Sequence, residues 1–319
     1  MASSEEETKD TDMKHTVTAL LLATAVIALL TSPKLQSAAL LASAISFEEG
    51  NLKLFNGANV VNGGLEIDTT AETGEFHEFL HTVPEDGTFE AAKNYRISFD
   101  YTINKIGDEK TGFFHQFRSA SNPDLNRSYE WSAPAGSKGH KELGIHSEVA
   151  DYQLVLGVHY QGAIRIENLR IEEVELPPGI PFSGPVTKDA RFWFENGAEV
   201  VDGGIEVDTT RDDIDFHEYF ATVPANVKFV PGKRYSVSYD YTVRKLGDDS
   251  ARFYHFARHI KENGLKDLGV EYWTDTEGGA GHKEFEFTAD PQSEGYKVVL
   301  GVRFKGAVRI ENLKIAEVE

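Results

Sequence analysis

The chain has 319 residues, of which 40% are hydrophobic and 11% aromatic, and it carries a formal net charge of -20 at pH 7. That length accommodates two domains with filled cores, while the acidic balance repels polyanions and argues against a nucleic-acid partner. There is no cysteine, which excludes a disulfide framework and any thiolate metal site.

Residues 1–44 read as an address. After the acidic "MASSEEETKDTD", Met13, Lys14 and His15 lead into "TVTALLLATAVIALLT", and "ASA" at 42–44 offers small residues for cleavage. That order predicts a signal peptide and an extracellular or cell-surface location, with an uncleaved membrane anchor as the alternative. The apolar run is shorter than the roughly 20 residues that span a bilayer, and Pro33 ends it.

The remainder is written twice. "NGANVVNGGLEIDTT" (56–70) matches "NGAEVVDGGIEVDTT" (196–210), and "KNYRISFDYTINKIGD" (93–108) matches "KRYSVSYDYTVRKLGD" (233–248), both 140 residues apart. "GHKE" recurs at 139 and 281, and "GAIRIENLRIEEVE" (162–175) returns as "GAVRIENLKIAEVE" (306–319). Units this long are duplicated domains, not solenoid repeats. We expect repeat 1 over 45–175, a stiff extended linker with Pro177, Pro178, Pro181 and Pro185 over 176–191, and repeat 2 over 192–319.

Within each copy the hydrophobic period is two. Tyr95, Ile97, Phe99, Tyr101 and Ile103 fall on one side of a strand, and Tyr235 to Val243 repeats the pattern. Turn signals punctuate the strands about every ten residues, so an all-β chain of two tandem antiparallel β-sandwiches is predicted. In the closing strand Ile164 and Ile166 share one parity and Leu169 and Ile171 the other, which predicts a β-bulge at Glu167-Asn168. The second copy slips identically at Glu311-Asn312.

An opening "FEEG" or "FENG", a central "PGKRYSVSYDYTV" and a closing "AVRIENLKI" together resemble the jelly-roll carbohydrate-binding modules of the galactose-binding-like superfamily. The resemblance implies a structural calcium between first and last strands, held by Glu48 or Glu49 with Glu167 in one copy and by Glu195 with Glu311 in the other; hard oxygen ligands suit that ion. It also implies polysaccharide or surface glycan as the partner. Sugar binding asks for an aromatic platform with polar groups beside it. The candidates are Trp131 and Trp273 with Tyr129, Tyr272, His140, His282, Gln116 and Arg118, and the competing reading places both Trp residues in the core.

His77 and His217 in "FHEF" and "FHEY" lack a zinc spacing and read as structural. Asp100 and Asp240 lack an identifiable carboxylate partner for glycoside hydrolysis, so an enzyme is not indicated. The expectation is an exported, non-catalytic binder of glycans; the alternative is a calcium-stabilised structural subunit that self-associates by strand addition, with "SAALLASAISF" (37–47) as donor.

Overall fold

Burial of one side of every long strand organises the protein. A computed structural model describes residues 45–47, 52–83, 88–211, 215–261, 264–291 and 295–318. The leader and apolar segment, 1–44, and the calcium candidates Glu48 and Glu49 lie outside the described residues.

The first copy contains β1 (Leu52–Leu54), β2 (Asn59–Val61), β3 (Gly64–Asp68), β4 (Phe76–Thr82), β5 (Lys93–Ile106), β6 (Gly112–Ser119), β7 (Arg127–Trp131), β8 (Lys138–Ser147), β9 (Tyr152–His159) and β10 (Gly162–Glu173). Sheet I has the order β1-β4-β9-β6-β7 and sheet II the order β2-β3-β10-β5-β8. After β11 (Phe182–Ser183), the second copy supplies β12 (Phe192–Phe194), β13 (Glu199–Val201), β14 (Gly204–Asp208), β15 (Phe216–Thr222), β16 (Arg234–Leu246), β17 (Arg252–Lys261), β18 (Gly264–Trp273), β19 (Ala280–Thr288), β20 (Gly295–Arg303) and β21 (Gly306–Val318). Its sheets, III (β12-β15-β20-β17-β18) and IV (β13-β14-β21-β16-β19), reproduce the first copy strand for strand. All described pairings are antiparallel.

The two tandem sandwiches predicted from the period are therefore present. One core gathers Leu65, Ile97, Phe99, Phe113, Leu156 and Ile166, and the other Ile205, Val237, Tyr239, Phe253, Leu300 and Ile310.

The expected bulge holds as well. The register of β10 against β5 shifts between Glu167 and Arg170, and Ile164, Ile166, Leu169 and Ile171 are all buried. Asn168 takes φ 53° and Asn312 φ 52°, a left-handed conformation that asparagine tolerates better than other non-glycine residues. Each Asn Nδ2 donates at 2.7 Å to the aspartate of the neighbouring strand, Asp100 or Asp240. The other oxygen of that aspartate meets His140 or His282 Nδ1, also at 2.7 Å.

The linker departs from expectation. Instead of a free spacer, Phe182 and Ser183 pair with Ile315 and Lys314 as an extra strand on sheet IV, and Phe182 and Val186 are buried in the second core. Two apolar side chains within the proline-rich stretch have surface to bury, and the neighbouring sheet edge has free amides to pair. Similarly, Ile45 donates its amide to Leu169 O at 2.7 Å and Phe47 is buried in the first core, so this end of the proposed donor segment is spent on its own copy.

A bulge held by an asparagine side chain makes a direct prediction. Asn168→Val, which is strained at this φ and loses the bond to Asp100, should lower unfolding stability by about 1–2 kcal/mol in urea titration, and Asn168→Gly by less.

Candidate functional site

Strand parity decides what sheets I and III offer to solvent. On β4, His77 points inward and is 6% exposed, so Phe76 and Glu78 point outward. A bulge between Glu78 and Leu80 buries both Phe79 and Leu80 and returns His81 to the outer side. Gly157 on β9 is flanked by Glu78 and Phe114, and a Cβ there would lie 1.9 Å from the Phe114 ring. The absent side chain lets Phe114 lie flat on the strand. Phe76, 64% exposed, stacks on His159 with ring centroids 4.3 Å apart and 12° between planes, and meets the edge of Phe114 at 6.1 Å.

Beside this platform lies a fixed polar network. Both terminal nitrogens of Arg118 donate to Glu78, one of them at 3.3 Å, while its Nε donates to Gln116 Oε1 at 3.1 Å. His81 Nε2 lies 2.8 Å from Glu78 Oε2. Burial pulls the Glu78 carboxyl up, but Arg118 and His81 outweigh it and hold the group below its ordinary range.

Sheet III repeats the arrangement. Phe216 is 51% exposed and packs edge-on to Tyr254 at 6.4 Å, which lies over Gly301 as Phe114 lies over Gly157. Arg258 donates to Glu218 at 2.6 Å and to Asp267 at 2.7 Å, partners that hold its guanidinium pKa up. Arg303 replaces His159, with its guanidinium 4.9 Å from the Phe216 ring, and Tyr272, 48% exposed, adds a ring 5.5 Å from Tyr254. At the end of each aromatic row a bulky residue holds a positive φ, Tyr160 at 59° and Phe304 at 63°. Both copies keep this geometry in the short turns that join β9 to β10 and β20 to β21.

The residues expected to bind sugar fall into three places. Gln116, Arg118 and Tyr272 belong to these outer sides. Trp131, Tyr129 and Trp273 do not: Trp131 and Tyr129 pair with Phe113 and His115 on the inward side of sheet I, and Trp273 is only 7% exposed between Tyr241 and Phe253. The platform reading of both Trp residues is corrected to the core reading, because their strand partners are core residues. His140 and His282 sit on the opposite side of each sandwich, bonded to Asp100 and Asp240. Sequence reasoning misses Phe76, Phe216, Glu78 and Glu218, although the inward histidines of "FHEF" and "FHEY" carry the signal.

Of the calcium candidates, Glu167, Glu195 and Glu311 are described, each beside a basic side chain. Arg165 and Arg309 donate to Glu167 and Glu311 at 2.9 Å. Glu195 lies beside Arg127 and Lys297, with burial pushing its carboxyl up. Among the described residues no group of three or more His, Asp and Glu converges on a metal position; Glu48 and Glu49 lie outside those residues.

The copies touch edge to edge. Arg127 of repeat 1 lies over the Trp193 ring at 4.8 Å, Lys141 donates to Glu199 at 2.7 Å, and Asn226 donates to Asn94 at 2.7 Å. A Cβ on Gly144 would lie 2.2 Å from the Asp189 backbone, so the chain crosses β8 where no side chain intervenes. Among the described residues, the counterparts of several of these groups differ. The position of Gly144 is Glu286 in repeat 2, and those of Trp193 and Glu199 are Lys53 and Asn59 in repeat 1. Lys283, the counterpart of Lys141, is bonded instead to Glu271 of its own repeat.

No protein-family model matches the chain, and no curated protein does. Solved structures similar to it include the tandem CBM22-1-CBM22-2 domain of Paenibacillus barcinonensis Xyn10C, with a TM-score of 0.33 and 11% identity over 85% of this chain and 92% of that one. A CBM4 structure overlaps with a TM-score of 0.28 and 10% identity over 44% of this chain and 81% of that one. Sulfolobus Turreted Icosahedral Virus overlaps at 0.33 and 11% over 85% and 60%. At these values the likenesses carry no argument about what this chain does.

Behind the outer sides, His115 and His255 occupy equivalent inward positions, 6% and 0% exposed. Burial pulls the His115 ring down from 6.5 to about 3 and the His255 ring to about 4. The unfolded chain therefore takes up protons below pH 6.5 that the folded chain refuses, and stability present above that pH is lost as pH falls. Urea titrations at pH 7 and pH 4 should differ by on the order of 2 kcal/mol or more, and His115→Phe should reduce the difference.

Proposed function

We propose that the chain is a non-catalytic carbohydrate-binding protein with one site per repeat, on the outer sides of sheets I and III. The observation that carries this reading is an exposed phenyl ring fixed beside a carboxylate–guanidinium pair, in both copies: Phe76 with Glu78 and Arg118, Phe216 with Glu218 and Arg258. A pyranose has an apolar C–H side and hydroxyls around its rim. Phe76 and Phe216 cover the first. Glu78, Gln116 and Arg118 in repeat 1, and Glu218, Arg258 and Asp267 in repeat 2, where Phe256 stands in place of Gln116, answer the second through charge-assisted hydrogen bonds. Because the groups bond one another beforehand, little side-chain entropy is lost on binding. The apolar segment before residue 45 supports placing such a binder outside the cytoplasm or at the cell surface.

The competing reading, a filament subunit, needs free edges that match. An interface between unlike edges of two homologous units propagates into a fibre when the outermost edges are alike. Here Glu286, Lys53 and Asn59 take the places of the residues that make the internal contact, and charged or lysine-bearing edges resist pairing. That divergence favours a closed pair of modules.

The test is retention on a panel of immobilised polysaccharides. Phe76→Ala and Phe216→Ala should each weaken binding about tenfold with little change in melting temperature. The double variant should lose the avidity of two linked sites, on the order of a further hundredfold. Retention unchanged in the double variant would sink the reading.

A further inference from the structure

A cavity of about 60 Å³ lies between the copies, lined by His115, Tyr129 and Trp131 from repeat 1, Lys188 from the linker, and Phe192 and Glu199. It has room for about four or five water-sized groups. Two buried polar atoms of the residues lining it have no hydrogen-bond partner: His115 Nδ1 and Trp131 Nε1.

The second copy shows what is missing. There Tyr239 OH lies 2.7 Å from His255 Nδ1, near the Trp273 side chain, although Trp273 Nε1, like Trp131 Nε1, has no hydrogen-bond partner. In repeat 1 the position of Tyr239 is Phe99, buried to 1% exposure and without a hydroxyl. The two copies share the histidine and the tryptophan, but repeat 1 lacks the oxygen that serves the histidine. At the same place repeat 2 is closed: Phe285 stacks on His255 at 4.2 Å, where repeat 1 has the smaller Leu143.

The other end of the cavity is rich in donors. Lys141 and Lys188 share the single carboxylate of Glu199, and together they outweigh the effect of burial and hold it ionised. Each ammonium has three N–H groups, so donors remain after Glu199 is satisfied and the trio carries one positive charge. Lys141 also lies over the Trp131 ring, 4.7 Å from its centroid. Glu130 and Glu142, also at the lining, are on outward strand positions; Glu130 is engaged by His159 at 2.8 Å.

We propose that this cavity binds a small hydroxylated carboxylate, its hydroxyl oxygen taking the place of the Tyr239 hydroxyl between His115 Nδ1 and Trp131 Nε1 and its carboxylate meeting Lys141 and Lys188. Such a group belongs to a free hydroxy acid or to the acidic edge of a uronic sugar. The site is separate from the outer-side sites and does not depend on them.

The experiment follows the three tryptophan indole N–H signals of the full chain by NMR, with Trp131 assigned by its loss in Trp131→Phe. Lactate, glycerate, glucuronate, glycerol and glucose are titrated in turn. The acids should shift the Trp131 signal saturably and the neutral compounds should not; lactate and glycerate alone would mark a free hydroxy acid, glucuronate alone an acidic sugar. Lys188→Gln should weaken the acids about tenfold. Phe99→Tyr, which restores the oxygen inside the chain, should abolish the shift and raise the melting temperature. A Trp131 signal that ignores every acid, moves equally with glycerol, or responds unchanged in Phe99→Tyr or Lys188→Gln overturns the proposal and leaves water alone in the cavity. Phe76→Ala should leave these titrations unaltered, which keeps a failure here distinct from a failure at the outer sides.

Discussion

A side chain on a strand faces either the core or the solvent, and in this protein a few buried residues settle that choice for whole sheets. His77 and His217, inward on β4 and β15, force Phe76 and Glu78, Phe216 and Glu218 outward. Pairing then transmits the choice. Gly157 joins Glu78 to Phe114 across three strands, and Gly301 joins Glu218 to Tyr254. The exposed rings and the carboxylates beside them are thus fixed by what lies beneath: removing a core contact on β4 would misplace the outer row before it unfolded the domain. The Gly positions belong to the same logic, since a flat ring needs a strand without a side chain under it.

Much of this is legible in the amino-acid sequence. The duplication, the period of two and the slip at Glu167-Asn168 require only local reading, because alternation is a property of one strand. The Trp positions are not legible, because their orientation depends on register between strands. Trp131 is inward because it lies opposite Phe113, and Trp273 because it lies opposite Phe253; nothing within "SYEW" or "VEYW" sets that parity. The β4 bulge is hidden for a related reason. "FHEFL" reads as simple alternation until two consecutive apolar residues have to be buried. The linker misleads through composition: prolines predict an extended chain correctly, but extension serves a strand as well as a spacer.

Two copies of one fold also provide an internal control that a single domain lacks. Where they agree, as in the asparagine-held bulge and the ring over glycine, the shared feature answers to a shared physical demand. Where they differ, the difference isolates one contribution. Phe99 against Tyr239 removes a single oxygen from an otherwise matched trio with His115 or His255 and Trp131 or Trp273, and the buried histidine Nδ1 is left open in one copy only. Leaving such an atom unserved costs about 1–3 kcal/mol, a penalty that a bound oxygen offsets.

The same comparison shows how the two edges of the contact have diverged between the copies. Lys141 and Lys283 occupy equivalent positions, yet the first reaches across to Glu199 and the second turns back to Glu271. Gly144 admits the neighbouring chain to within contact of β8, and Glu286 at the matching position places a charged side chain where that chain would lie. Glu286 faces Arg234 at 3.7 Å, and burying that carboxylate would carry a desolvation cost of several kcal/mol. The contact between copies holds the rows of Phe76 and Phe216 at one separation. For the proposed glycan sites, two weak sites held at a fixed spacing would act as one strong site only for a ligand long enough to reach both, so the geometry of the edge contact would favour extended polymers over short ones.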